Sequence, residues 1–269
     1  MNIKGNTALV TGAASGIGRA VSEELVQRGA AGLVLVDLAP EVEAVANELA
    51  TDTCKTIAAV GDTTDEAFRR ETLDRAQNEL GLVRICVPCA GITRDRMSVK
   101  VDKETGKAGL YPLSDFRLVL EINLTAPVFW AIDIMGRIAE DRSARGLKRW
   151  TPDQDMEGVT VFIGSISSQG NVGQVSYAST KAGLVAAAST LTKEGMFHGY
   201  RATVIHPGFT NTPMVQAMGQ DIIDKVVIPH TQMKRLIEPS EIAGTICFMI
   251  ENPIVSGPIW ADAGWHPLP

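Results

Sequence analysis

The sequence is poor in cysteine. Its four residues, Cys54, Cys86, Cys89 and Cys247, are too few for a disulfide framework in a chain of 269. It has no basic excess: Lys and Arg number 25 against 31 Asp and Glu, a net charge of -6. That leaves no electrostatic footprint for nucleic acid or an anionic membrane surface. No apolar run approaches the ~18–20 residues of a membrane span. Met1 to Gly5 lead directly into the short stretch Thr7-Ala8-Leu9-Val10, too short for the apolar centre of a signal peptide. A reducing cytoplasmic setting is therefore expected, without excluding the mitochondrial matrix. There is no Pro/Gly/Ser-rich linker and no repeat of fixed period. His198, His206, His230 and His266 show no metal-ligand spacing, so no metal is expected.

What the chain does have is a core. Apolar residues make up 45% and charged residues 21%, ample for a large single domain spanning 1–269. Short β-branched runs alternate with longer amphipathic ones. Strands are predicted at 7–11, 32–36, 55–60, 84–87, 159–164, 201–205 and 258–261, and helices at 16–28, 41–50, 65–79, 115–141, 177–198 and 239–251. Strands apolar nearly throughout are covered on both faces. The alternation predicts an α/β fold: a Rossmann-like, doubly wound parallel sheet of seven strands with helices on both faces. Two insertions are expected, a hairpin at about 94–113 and a charged surface loop at about 142–157. The stretch 209–237, with Met214, Met218 and Met233, suits a lid over an apolar ligand.

Gly12-Ala13-Ala14-Ser15-Gly16-Ile17-Gly18 lies between the first strand and the first helix. Glycines there allow a tight turn and close approach to a pyrophosphate, which the helix N-terminus attracts. Asp37 ends the second strand, where a carboxylate accepts hydrogen bonds from ribose hydroxyls and repels a 2′-phosphate. No Lys or Arg lies in 38–42, so NAD is expected over NADP. Tyr177 and Lys181 stand four apart on a helix, on one face. A cation beside a phenol lowers the ordinary Tyr pKa of ~10 and suits it to proton transfer at a carbonyl or alcohol.

The glycine turn, Asp37, Asn123, Ser165 and Tyr177-x-x-x-Lys181 fall in the order of the short-chain dehydrogenase/reductase family, which the chain resembles over essentially its full length. The resemblance extends to Asp62, to Ala90-Gly91 and to the run from Pro207 to Thr212. It implies Tyr177 as general acid/base and Lys181 as the group that tunes it and binds the nicotinamide ribose. It implies Ser165 as the residue orienting the substrate oxygen, and Asn123 as the holder of a relay water. It places Gly12, Ser15, Gly16, Ile17 and Gly18 at the pyrophosphate and Asp62 at the adenine. Ala90 and Gly91 keep a close backbone approach, and Pro207, Gly208, Thr210 and Thr212 stand at the nicotinamide. Ser165, Gln174, Tyr177, Met214 and Met218 are the candidate substrate contacts.

Three departures stand out. Pro88-Cys89 replaces the family's paired asparagines. Ser165 lies one residue closer to Tyr177 than the family pattern has it, with Ser167 the fallback for its role. The two insertions exceed a minimal member. The tail, Ile250-Glu251-Asn252-Pro253 and then Asp262-Ala263-Gly264, is similar to type 2 3-hydroxyacyl-CoA dehydrogenases. Gly170 to Gln174 is similar to those enzymes and to 3-oxoacyl-(acyl-carrier-protein) reductases. The expected activity is NAD(H)-dependent interconversion of a secondary alcohol and a ketone, with a 3-hydroxyacyl/3-oxoacyl thioester as substrate. The alternatives are a dehydrogenase of cyclic, steroid-like or aromatic secondary alcohols, and a non-catalytic cofactor-binding subunit. Family assembly implies a homotetramer, or at least a homodimer, with apolar stripes on 122–138 and 184–191 as the interface. Cys86-x-x-Cys89 and Trp130 read as packing. His206 reads as packing too, with the cofactor side as its other reading.

Overall fold

A computed structural model describes residues 1–265; His266 lies outside them. In chain order the elements are β1 (Thr7–Thr11), α1 (Gly16–Gln27), β2 (Gly32–Asp37), α2 (Val42–Leu49), β3 (Lys55–Val60), α3 (Glu66–Leu80) and β4 (Val83–Pro88). A hairpin, β5 (Val99–Val101) and β6 (Ala108–Leu110), is followed by α4 (Leu113–Leu120), a π-helical turn (Glu121–Thr125) and α5 (Ala126–Ala144). Then come β7 (Gly158–Ile163), a 3-10 turn (Ile166–Gln169), α6 (Val175–Gly195) and β8 (Tyr200–Pro207). Short helices α7 (Pro213–Gln216), α8 (Gln220–Ile222) and α9 (Ile228–His230) precede α10 (Pro239–Glu251) and β9 (Ile259–Ala261).

Seven strands form one parallel sheet in the order β3-β2-β1-β4-β7-β8-β9. The chain winds outward from β1 to β3, then returns to β4 on the other side of β1. That reversal opens a crevice above the C-terminal ends of β1 and β4, the place where such sheets bind ligands. Both faces are covered. Val21, Leu25, Val42, Ile242 and Ile246 pack on one side, and Leu73, Trp130, Ile134, Leu184 and Leu191 on the other. Continuous apolar strands such as Leu33–Val36 follow from that two-sided burial.

Three expectations change. The stripe of Leu184 and Leu191 is core rather than an interface, both being buried against β7 and β8. The segment 142–157 is not wholly a solvated loop. α5 runs on to Ala144, and the buried Arg142 donates to Glu157, which also pairs with Arg84 and Arg145. Finally, α4, the π turn and α5 form one continuous helix, Leu113–Ala144, long and apolar enough in length and composition to cross a membrane. Here it lies against the sheet, with Trp130, Ala131, Ile134 and Ile138 buried. Polar residues such as Asp133 and Arg137 on its flank, joined to Arg69 and Asp74 of α3, break the apolar run in the sequence.

Candidate active site

The first βα turn is shaped by contacts that only glycine permits. Gly12 has φ +65°, and a Cβ there would sit 2.8 Å from the Ala90 nitrogen. A Cβ on Gly18 would fall on the Gly12 carbonyl oxygen. The turn thus packs against Ala90, and α1 starts directly beneath it. Thr11 does the work left undone by the missing asparagines. Its carbonyl accepts from the Cys89 N–H at 3.1 Å, and its hydroxyl accepts from the Ala90 N–H at 3.1 Å. The segment Pro88 to Gly91 is therefore fixed by the neighbouring strand.

The cleft above this turn has a volume of about 370 Å³. Gly12, Ser15, Gly16, Ile17 and Gly18 form its floor. Asp37 and Asp62 stand at one end, and Ala90 and Gly91 lie midway. Tyr177, Lys181, Thr212 and Met214 close the other end. Asp37 is held by two backbone N–H groups, of Ala14 at 2.9 Å and Ala39 at 3.0 Å, which leaves carboxylate lone pairs facing the cleft. Asp62 accepts from the N–H and hydroxyl of Thr64 at 2.9 and 2.7 Å. Lys181 is the only Lys or Arg among the residues lining the cleft.

Ser165 follows β7 at the N-cap of the 3-10 turn, with its hydroxyl close enough to the Tyr177 phenol to lower the phenol's pKa. The buried fallback, Ser167, instead donates its N–H to the Ser165 hydroxyl at 3.1 Å. Burial pushes the Tyr177 phenol up to about 12, with Ser165 opposing and Asp95 adding to the rise. Lys181 lies 5.4 Å from the centre of the Tyr177 ring and donates to the Ile163 carbonyl at 2.7 Å. Burial pushes its ammonium down to about 8. In this arrangement Tyr177 is a protonated phenol at neutral pH, with Ser165 opposing the rise that burial causes.

Asn123 is buried, and its side chain clamps Ile92: Oδ1 accepts the Ile92 N–H at 2.9 Å and Nδ2 donates to the Ile92 carbonyl at 2.8 Å. One amide N–H and one oxygen lone pair are thus committed to Ile92, and the Asn123 main-chain carbonyl is a further acceptor for a relay water. The π turn and Pro127, four residues on, favour that, because proline has no N–H to give the Asn123 carbonyl in an α-helical register. Several expected contacts lie outside the cleft lining. Pro207 is buried at the end of β8, with Gly208 just beyond it, and the buried Thr210 donates its hydroxyl to the Gly208 carbonyl. Gln174 donates to Asp95 at 2.7 Å, and Met218 is exposed on the segment after α7. Val36, Thr63, Ile92 and Ile122 line the cleft although the motifs do not mark them. Each stands one residue from a motif residue (Asp37, Asp62, Gly91 and Asn123), and only that adjacency signals them.

A family model described as short chain dehydrogenase matches residues 6–223. The 3-hydroxyacyl-CoA dehydrogenase type-2 of Drosophila melanogaster is 32% identical over 96% of this chain and 95% of its own length. A 3-oxoacyl-(acyl-carrier-protein) reductase of Escherichia coli K12 is 30% identical over 94% and 92%. A solved 3-hydroxyacyl-CoA dehydrogenase type-2 from Mycobacterium avium superposes with a TM-score of 0.83 at 25% identity, covering 98% of this chain and 97% of that one. A parallel sheet with a glycine turn at its switch point, a Ser–Tyr–Lys cluster at the rim and a family match across most of its length together make this chain a member of the short chain dehydrogenase family, an oxidoreductase acting on CH–OH groups.

Proposed function

We propose that the protein interconverts a 3-hydroxyacyl and a 3-oxoacyl thioester with NAD(H), using Tyr177 as the proton donor and acceptor. The single observation that carries the chemistry is that Tyr177 and Lys181 line the same cleft as Asp37, with the Ser165 hydroxyl beside the phenol just outside that lining. The cleft fits a nicotinamide dinucleotide: its glycine cradle excludes side chains, and Asp37 and Asp62 offer acceptors to an adenosine. Such a cofactor, when bound, supplies or accepts the hydride. Asp37, with no cation beside it in the lining, favours NAD over NADP.

In the reductive direction Ser165 donates to the substrate oxygen and Tyr177 passes it the phenolic proton. Lys181 adds positive charge beside the ring and stabilises the phenolate that results. Asn123 holds the segment after β4 in place through Ile92. The thioester assignment rests on the names of the relatives, matched over nearly the whole chain. Cytoplasmic placement and a homotetramer belong to the same reading. The test is NADH consumption with acetoacetyl-CoA beside a panel of cyclic and aromatic ketones, repeated with NADPH. Faster thioester reduction with NADH is expected. Turnover of the simple ketones alone would discard the thioester, and equal use of NADPH would discard the role given to Asp37.

A further inference from the structure

His206 is buried at the end of β8, and its ring stacks on Trp260 of β9, centroids 4.3 Å apart and planes 19° from parallel. The register pairs the two residues side by side. Nδ1 of this ring lies 3.0 Å from the Ser165 nitrogen and 2.9 Å from the Ser165 carbonyl oxygen. The carbonyl already accepts the Ser168 N–H at 3.0 Å. The Ser165 N–H has Nδ1 as its partner, and a buried N–H left alone is costly. That favours the tautomer with the proton on Nε2 and a free lone pair on Nδ1. The Ser168 hydroxyl, 3.3 Å away, adds a second donor to the same atom. Burial, against the opposing Ser165 carbonyl and with help from the nearby Lys181, holds the imidazole below its ordinary pKa, in keeping with a neutral ring.

Space for the ring comes from Gly164. A Cβ there would fall on Nδ1 and within 2.8 Å of the Ile205 carbonyl. Gly164 and His206 therefore form a matched pair beneath Ser165, in a loop that reaches Tyr177 one residue sooner than the family pattern.

We propose that His206 is a positioning residue for catalysis: its Nδ1 lone pair holds the Ser165 N–H and so keeps the Ser165 hydroxyl beside the Tyr177 phenol. The effect on turnover rests on the oxidoreductase reading of the site; the hydrogen bond itself does not.

The test compares His206→Phe, which keeps a ring against Trp260, with His206→Asn, whose Oδ1 takes the place of Nδ1. The Phe variant should lower kcat with acetoacetyl-CoA at least tenfold and speed Ser165 amide hydrogen exchange at least tenfold, with NADH affinity within twofold. The Asn variant should restore both. A Phe variant with wild-type kcat and exchange, or an Asn variant no better than Phe, would overturn the proposal. In the unaltered protein, a ¹⁵N imidazole signal showing Nδ1 protonated at neutral pH would overturn it as well, whether or not the Phe variant folds. If acetoacetyl-CoA is not turned over at all, the substrate reading fails while exchange and the ¹⁵N signal still decide the role of His206.

Discussion

In the proposed reaction Tyr177 and Ser165 carry different shares of the chemistry. Tyr177→Phe removes the transferable proton and is expected to lower kcat by about 10²–10⁴-fold, with NADH binding retained in a fluorescence titration. Ser165→Ala removes a donor to the developing oxyanion and is expected to cost about 10²–10³-fold. Wild-type turnover in the Tyr177 variant would refute the assignment. The pH dependence follows from Lys181. Its ammonium, pushed down to about 8, is populated below that pH and lost above it, while Tyr177, pushed up to about 12, keeps its proton throughout. Ketone reduction should therefore decline as pH rises through about 8, measured as a kcat profile from pH 6 to 10. The same shift acts on stability with the opposite sign. Between about 8 and the ordinary Lys value of 10.5, the unfolded chain holds the proton that the folded one has released, so this group's contribution favours the fold increasingly as pH rises.

At the scale of elements, the turn into α1 and the junction before β7 make contrasting predictions. Gly18→Ala would drive a Cβ into the Gly12 carbonyl and force the phosphate turn open. NADH affinity should fall more than tenfold by titration, with the fold retained in circular dichroism. Glu157 sits just before β7, and its carboxylate faces Arg84, Arg142 and Arg145. Burial alone would raise its pKa, but Arg145 and Arg84 hold it below the usual range. Its stabilising contribution is thus present above the carboxylate range and lost as pH falls through its lowered pKa. Glu157→Gln leaves the buried Arg142 without its counter-charge and should cost about 3–5 kcal/mol in denaturant melts. Because this junction lies at the N-terminal end of β7 and Ser165 follows its C-terminal end, kcat at 25 °C should be unchanged.

For the whole molecule, Leu118, Phe129 and Ile132 leave apolar surface exposed along the helix that runs from α4 through α5. That face supports self-association, and sedimentation at micromolar concentration is expected to give a tetramer or dimer; a monomer would defeat it. Periodicity and motif order made the sheet, its flanking helices, the glycine cradle, Asp37 and the Tyr177–Lys181 pair legible in the sequence alone. Two-sided burial writes continuous apolar strands, and backbone approach to a phosphate writes glycine, so both reach the one-dimensional record. Other features were settled only when distant segments met. Leu184 and Leu191 look like an interface stripe until β7 and β8 cover them. Arg142 and Glu157 look like surface charge until the end of α5 folds over the junction before β7. His206 looks like packing until β8 brings its ring beneath Ser165, which stands 41 residues earlier in the chain. Local spacing fixes which face of an element a side chain occupies. What that face meets depends on how the elements cross, and only the tertiary structure decides that.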